Sequence, residues 1–123
     1  MVKKVLIVDD SPISRRILKS CLPKEREFEI LEAGDGLAGL ESYKQNAPDL
    51  TFMDLTMPVM DGVQSLYEII KFDKDAVVIV CTADVQVRSL DKVRETGAFH
   101  IVKKPPSKES INQALALVEG RNE

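Results

Sequence analysis

At 123 residues, 44% apolar and 30% charged with both signs mixed along the chain, this sequence matches the size and composition of one folded domain and gives no reason to expect disorder. A net charge of −3 without a basic stripe excludes the usual electrostatic basis for sequence-independent nucleic-acid binding. The longest apolar runs are too short for a membrane-crossing helix or a signal peptide.

Val2 to Val8 ends in Val-Leu-Ile-Val, a continuous apolar run that suits a strand covered on both faces. Asp9 and Asp10 follow it, and Ser11-Pro12 then reads as a helix cap and first helical residue. Ile13, Ile17, Leu18, Cys21 and Leu22 recur at helical spacing until Pro23 stops the pattern. Phe28 to Glu32 is a half-polar strand, as expected at a sheet edge. Asp35-Gly36 opens a second helix carrying Leu37, Leu40 and Tyr43, and Pro48 bars its continuation past Ala47.

Asp49 to Met53 predicts a strand that presents Asp54, after which Met57-Pro58 and Asp61-Gly62 break the backbone into a turn. Val63, Leu66, Tyr67, Ile69 and Ile70 mark a third helix. Ala76 to Cys81 is apolar throughout and belongs in the sheet interior, ending at Thr82-Ala83-Asp84. Val87, Leu90 and Val93 predict a fourth helix stopped by Gly97. Phe99 to Val102 is a short last strand, and Lys104-Pro105-Pro106 leads to Ser107, the cap of a final helix built on Ile111, Ala114, Leu115 and Val118. Cys21 and Cys81 have neither metal-like spacing nor a secretory context, and read as buried thiols of a cytoplasmic protein.

Strands alternating with helices, with no repeat or linker, predict one α/β domain over residues 1–123: a doubly wound five-stranded parallel sheet with helices on both faces. The two polar-flanked strands, second and fifth, belong outside, which favours the order 2-1-3-4-5. Sites in such folds form at the carboxyl ends of the strands. Asp9, Asp10, Asp54, Thr82 and Lys104 all fall there.

Unit charges about 4 Å apart repel by roughly 4 kcal/mol at an effective dielectric near 20, so three crowded carboxylates need a neutralising partner. Oxygen ligands with room for several waters describe a magnesium site. Asp10 and Asp54 are the expected direct ligands, Asp9 a ligand directly or through water, and the main-chain carbonyl of Thr56 a further oxygen. A carboxylate so screened can attack phosphorus to give an acyl phosphate, with Lys104 as counter-charge and the Thr82 hydroxyl as hydrogen-bond donor.

With these residues in place, the chain resembles the receiver domain of two-component response regulators from end to end. The matches are the acid pair in VDDS, DLTMPVMDG around Asp54, CTAD around Thr82, and GAFHIVKKP ending at Lys104-Pro105. The resemblance implies that Asp54 accepts a phosphoryl group from a sensor histidine kinase or a histidine phosphotransfer protein, that Mg2+ is required, and that slow self-hydrolysis ends the signal. It implies a phosphoacceptor signalling protein rather than an enzyme, of the single-domain chemotaxis type. Further implications are phosphoryl contacts from Thr82 and Lys104, a cis Lys104-Pro105 peptide, tuning of hydrolysis by Thr56 and Asp84, and a target-binding face formed by the fourth helix, fifth strand and fifth helix.

Two positions depart from the family pattern. Ile101 stands where an aromatic residue is usual, three residues before the lysine, with Phe99 on the same strand face as its nearest substitute. Pro106 replaces a larger apolar residue. His100 reads as a solvent-facing residue of an edge strand, Val85 as an exposed apolar contact near the start of the fourth helix, and Val87 as a core residue, with an exposed contact as its alternative. Two other functions are compatible with parts of this pattern. A phosphatase using an aspartate nucleophile would want a second aspartate at position 56, which is Thr56, and a receiver that docks without phosphorylation would not need the acid set.

Overall fold

A computed structural model describes residues 1–83 and 87–120, apart from the side chains of 87–89. Five strands alternate with five helices: β1 (Lys4–Val8), α1 (Pro12–Cys21), β2 (Glu29–Ala33), α2 (Gly36–Asn46), β3 (Leu50–Asp54), α3 (Gly62–Phe72), β4 (Val78–Thr82), α4 (Val87–Thr96), β5 (His100–Lys103) and α5 (Lys108–Gly120). All neighbouring strands pair in parallel, in the order β2-β1-β3-β4-β5. The half-polar strands do lie at the edges.

The period-two alternation of the strands divides the core in two. Val5, Ile7, Leu50, Phe52, Ile79 and Cys81 face α1 and α5, where Leu18, Cys21, Ile111, Ala114 and Leu115 meet them. Leu6, Val8, Met53, Val78 and Val80 face the other way, against Leu40 and Tyr43 of α2, Leu66 and Ile69 of α3 and Val93 of α4. With side chains buried on both faces, the central strands are almost wholly apolar, the buried Thr51 of β3 being an exception. Helix starts are set locally: the side chains of Ser11, Asp35, Asp61 and Ser107 each accept the backbone N–H three residues on.

The structure narrows several predicted apolar faces. Ile13 is 67% exposed and Ile17 faces solvent in part, whereas Leu18, Cys21 and Leu22 are buried. Only the i, i+3, i+4 stripe nearest the sheet and α5 is covered. Leu37 and Tyr67 also point outward. The inner face of α2 sets glycines beside the buried Leu40 and Tyr43: a Cβ on Gly39 would lie 2.8 Å from both Val8 methyls, and one on Gly36 2.1 Å from the Met60 carbonyl oxygen. Hydrophobic periodicity cannot register a contact made by a missing side chain. Strand limits shift as well: β1 begins at Lys4, β2 runs through Ala33, β4 begins at Val78 and β5 runs through Lys103. Among the described residues no helix is long and apolar enough to cross a membrane, and Cys21 and Cys81 are free, buried thiols.

Candidate metal centre at the carboxyl edge of the sheet

The ends of β1, β3, β4 and β5 supply the site. Asp9 follows β1 directly and is held through almost every polar group it has. Its N–H donates to the Ala33 carbonyl at 3.0 Å, its Oδ1 accepts the Ser11 N–H at 2.9 Å, and its Oδ2 accepts from Lys104 Nζ at 2.8 Å. Asp10, the next residue, is exposed. Asp54 is the last residue of β3, one position further into the strand than the sequence predicts, and it is in register with Cys81 of β4. Carboxylate oxygens of Asp9, Asp10 and Asp54 lie within 4.8 Å of one another.

Lys104 arrives from β5. Its N–H donates to the Thr82 carbonyl at 2.8 Å, the peptide that follows it, Lys104-Pro105, is cis, and its Nζ reaches Asp54 Oδ1 at 3.1 Å as well as Asp9. The ammonium therefore spans two of the three acids. The loop after Asp54 is fastened from outside: Gly62 N–H donates to the Leu55 carbonyl at 2.8 Å, Gly36 N–H donates to the Met60 carbonyl at 2.9 Å, and the buried Ser65 hydroxyl donates to the Gly36 carbonyl at 2.8 Å.

Three carboxylates against one ammonium leave these four side chains net negative. Burial pushes the Asp54 carboxyl above its ordinary range, outweighing the pull of Lys104, and the charge on Asp9 adds to the push. Burial disfavours the Lys104 ammonium, but its hydrogen bonds to Asp9 and Asp54 prevail and raise its pKa. Burial also pushes the Cys81 thiol up to about 12, so sulfur offers no thiolate here. The donor set is all oxygen and anionic, a fit for a hard divalent cation such as Mg2+ rather than for zinc.

Thr82 ends β4 and is buried. Thr56 lies exposed on the loop two residues past Asp54. Asp84 and Val85, and the side chain of Val87, lie outside the described residues. Ile101 is partly buried against the α2, α3 and α4 side of the core, Phe99 stands at the edge, one-third exposed, and His100 is half-buried rather than solvent-facing. A cleft of about 240 Å3 opens beside the acids, walled by Ile17, Leu18, Pro105 and Pro106, with Cys81 and Ala83 among its lining. The sequence reading missed Arg15, whose Nη1 donates to the Asp9 main-chain carbonyl at 2.6 Å. A cation six positions after a carboxylate carries no local signal for such a contact.

A doubly wound parallel sheet that gathers three aspartates and a lysine on its carboxyl edge has the architecture of the CheY-like class of α/β signalling domains. The model of the response regulator receiver domain matches residues 5–116, and the chain belongs to that family of two-component signalling proteins. It is 41% identical over 119 residues to the chemotaxis protein CheY of Halobacterium salinarum, covering 96% of this chain and 98% of that protein. It is 37% identical over 118 residues to CheY of Thermotoga maritima, covering 96% and 98%. Among solved structures, CheY in the CheX-CheY-BeF3-Mg complex from Borrelia burgdorferi superposes with a TM-score of 0.90 at 32% identity, covering 95% of this chain and 89% of that one.

Proposed function

We propose that this protein is a phosphorylation-controlled switch, in which Asp54 accepts a phosphoryl group from a sensor histidine kinase or histidine phosphotransfer protein and the modified domain then changes its protein contacts. The observation that carries the reading is the bridge of Lys104 Nζ between Asp9 and Asp54, 2.8 and 3.1 Å away, beside a third carboxylate.

Asp54 is the nucleophile. A carboxylate oxygen forms the new P–O bond as the donor's P–N bond breaks, and the electron pair leaves with the imidazole, which is protonated from water. Lys104 supplies positive charge to the incoming phosphoryl oxygens and remains an ammonium throughout, because Asp9 and Asp54 both favour its charged form. Thr82, at the neighbouring strand end, contributes its hydroxyl to the phosphoryl group. Asp9, Asp10 and Asp54, with the Thr56 carbonyl, would hold Mg2+, which when bound neutralises the acids and the entering phosphoryl charge. Asp9 holds Lys104 in place through its Oδ2 while its Oδ1 is kept by the Ser11 N–H.

The signal leaves through the face of α4, β5 and α5, to a protein target rather than a nucleic acid or a membrane. The relatives named CheY support this reading, as does the solved complex of CheX with a CheY carrying BeF3 and Mg. Incubation with Mg2+ and acetyl phosphate, followed by intact mass measurement, tests it. One phosphate adduct is expected on the wild type and none on Asp54→Asn. A folded wild type that takes up no phosphate would favour docking without phosphorylation instead.

A further inference from the structure

Arg15 occupies the second turn of α1, yet its side chain reaches back to the strand end that precedes the helix. Nη1 donates to the Asp9 main-chain carbonyl at 2.6 Å, and Nε donates to Glu32 Oε1 on β2 at 2.9 Å. Lys19, one helical turn on, donates from Nζ to the other Glu32 oxygen at 3.0 Å. Glu32 thus fixes the guanidinium from the far side. The Arg15 side chain is only 19% exposed.

The carbonyl that Arg15 grips belongs to the planar peptide joining Asp9 to Asp10. The strand pairing of β1 with both neighbours stops at Val8, so this carbonyl lies past the sheet ladder. The Asp9 N–H is tied to Ala33, and the Asp9 carboxylate to Ser11 and Lys104. Arg15 therefore secures the remaining backbone group, and the plane it fixes sets where the Cα that carries the exposed Asp10 carboxylate sits relative to Asp9.

We propose that Arg15 is a positioning residue for the metal centre, setting Mg2+ affinity by holding the Asp9–Asp10 peptide, with Glu32 and Lys19 holding Arg15. The proposal rests on the reading of the three acids as a Mg2+ site. It makes a prediction of unusual sign. A fixed positive charge near a cation site repels the cation, so if Arg15 acted only through its charge, removing it would tighten binding. Acting through the peptide, its removal loosens binding.

Calorimetric titration with Mg2+ of the wild type, Arg15→Met, Arg15→Lys and Arg16→Met separates these. Arg16 is exposed on the same helix and loses the same charge without the carbonyl contact. We expect Arg15→Met to bind Mg2+ about tenfold more weakly, within the range for groups that orient metal ligands, Arg16→Met to bind at least as tightly as wild type, and Arg15→Lys, which keeps one donor, to fall between. Arg15→Met binding as tightly as Arg16→Met would overturn the proposal and leave the metal site standing. A wild type that binds no Mg2+ would overturn both. If circular dichroism shows Arg15→Met unfolded, Arg15→Lys decides: weaker binding supports the role, and wild-type affinity overturns it.

Discussion

Gly62 is packed against the main-chain carbonyl of Asp54 so closely that a Cβ there would lie 1.9 Å from the oxygen. Asp54 and the start of α3 are therefore in direct backbone contact, and only glycine permits the approach. Gly62→Ala must push the loop off the strand end. We expect a loss of about 3 kcal/mol in stability, the upper part of the range for overpacking, together with weaker Mg2+ binding. Urea denaturation and calorimetry read the two effects. An unchanged denaturation midpoint would show that the loop yields freely.

Val59, in the same loop, has a φ of 67°, a region that β-branched residues rarely occupy. The Pro58 carbonyl accepts the Met60 N–H at 2.7 Å, closing a three-residue turn around it. The side chain is 80% exposed and so contributes little packing. Val59→Asn is expected to stabilise the fold by about 1 kcal/mol, since left-handed backbone costs a residue of this type about 1–3 kcal/mol. A melting temperature at or below that of the wild type would contradict this.

Thr51 is the second residue of β3, fully buried, with no hydrogen-bond partner for its hydroxyl among the described residues. Replacing the hydroxyl with a methyl group removes a desolvated donor while preserving shape. Thr51→Val should raise stability by about 1 kcal/mol in chemical denaturation and leave Mg2+ binding unchanged. A loss of stability would mean that the hydroxyl is satisfied.

The chain is clasped at the opposite end of the sheet from the acids. Glu119 on α5 accepts from Arg26 Nη1 and Nη2, at 2.9 and 2.7 Å, and from the Val2 N–H at 2.9 Å. Its pKa is lowered from 4.5, chiefly by the hydrogen bond to Arg26. A carboxyl lowered by folding contributes stability that is present above its unfolded pKa and is lost as pH falls through the lower folded value. Glu119→Gln should therefore cost about 1–2 kcal/mol at pH 7, and the gap from wild type should close as pH drops below 4.5. Thermal melts across that range test the sign, and a gap that widens in acid would refute it.

Strand order and the placement of four charged residues were legible because apolar runs, edge polarity and the parallel crossover rule all point the same way. Asp9, Asp10, Asp54 and Lys104 could be brought together on paper once each was seen to follow a strand. What sequence could not reveal is carried by absence or by reach. Gly36, Gly39 and Gly62 act through space they do not fill, and Arg15 acts on a backbone atom six residues away. The outward turn of Ile13 and Leu37 depends on how narrow a stripe the neighbouring elements cover, which helical periodicity does not encode.

Borohydride reduction of the protein after treatment with Mg2+ and acetyl phosphate, followed by peptide mass mapping, tests the acceptor assignment most directly, because it converts an aspartyl phosphate to homoserine. The account predicts homoserine at position 54 alone, and none when Mg2+ is chelated. Conversion at another aspartate, or equal conversion without the metal, would contradict it.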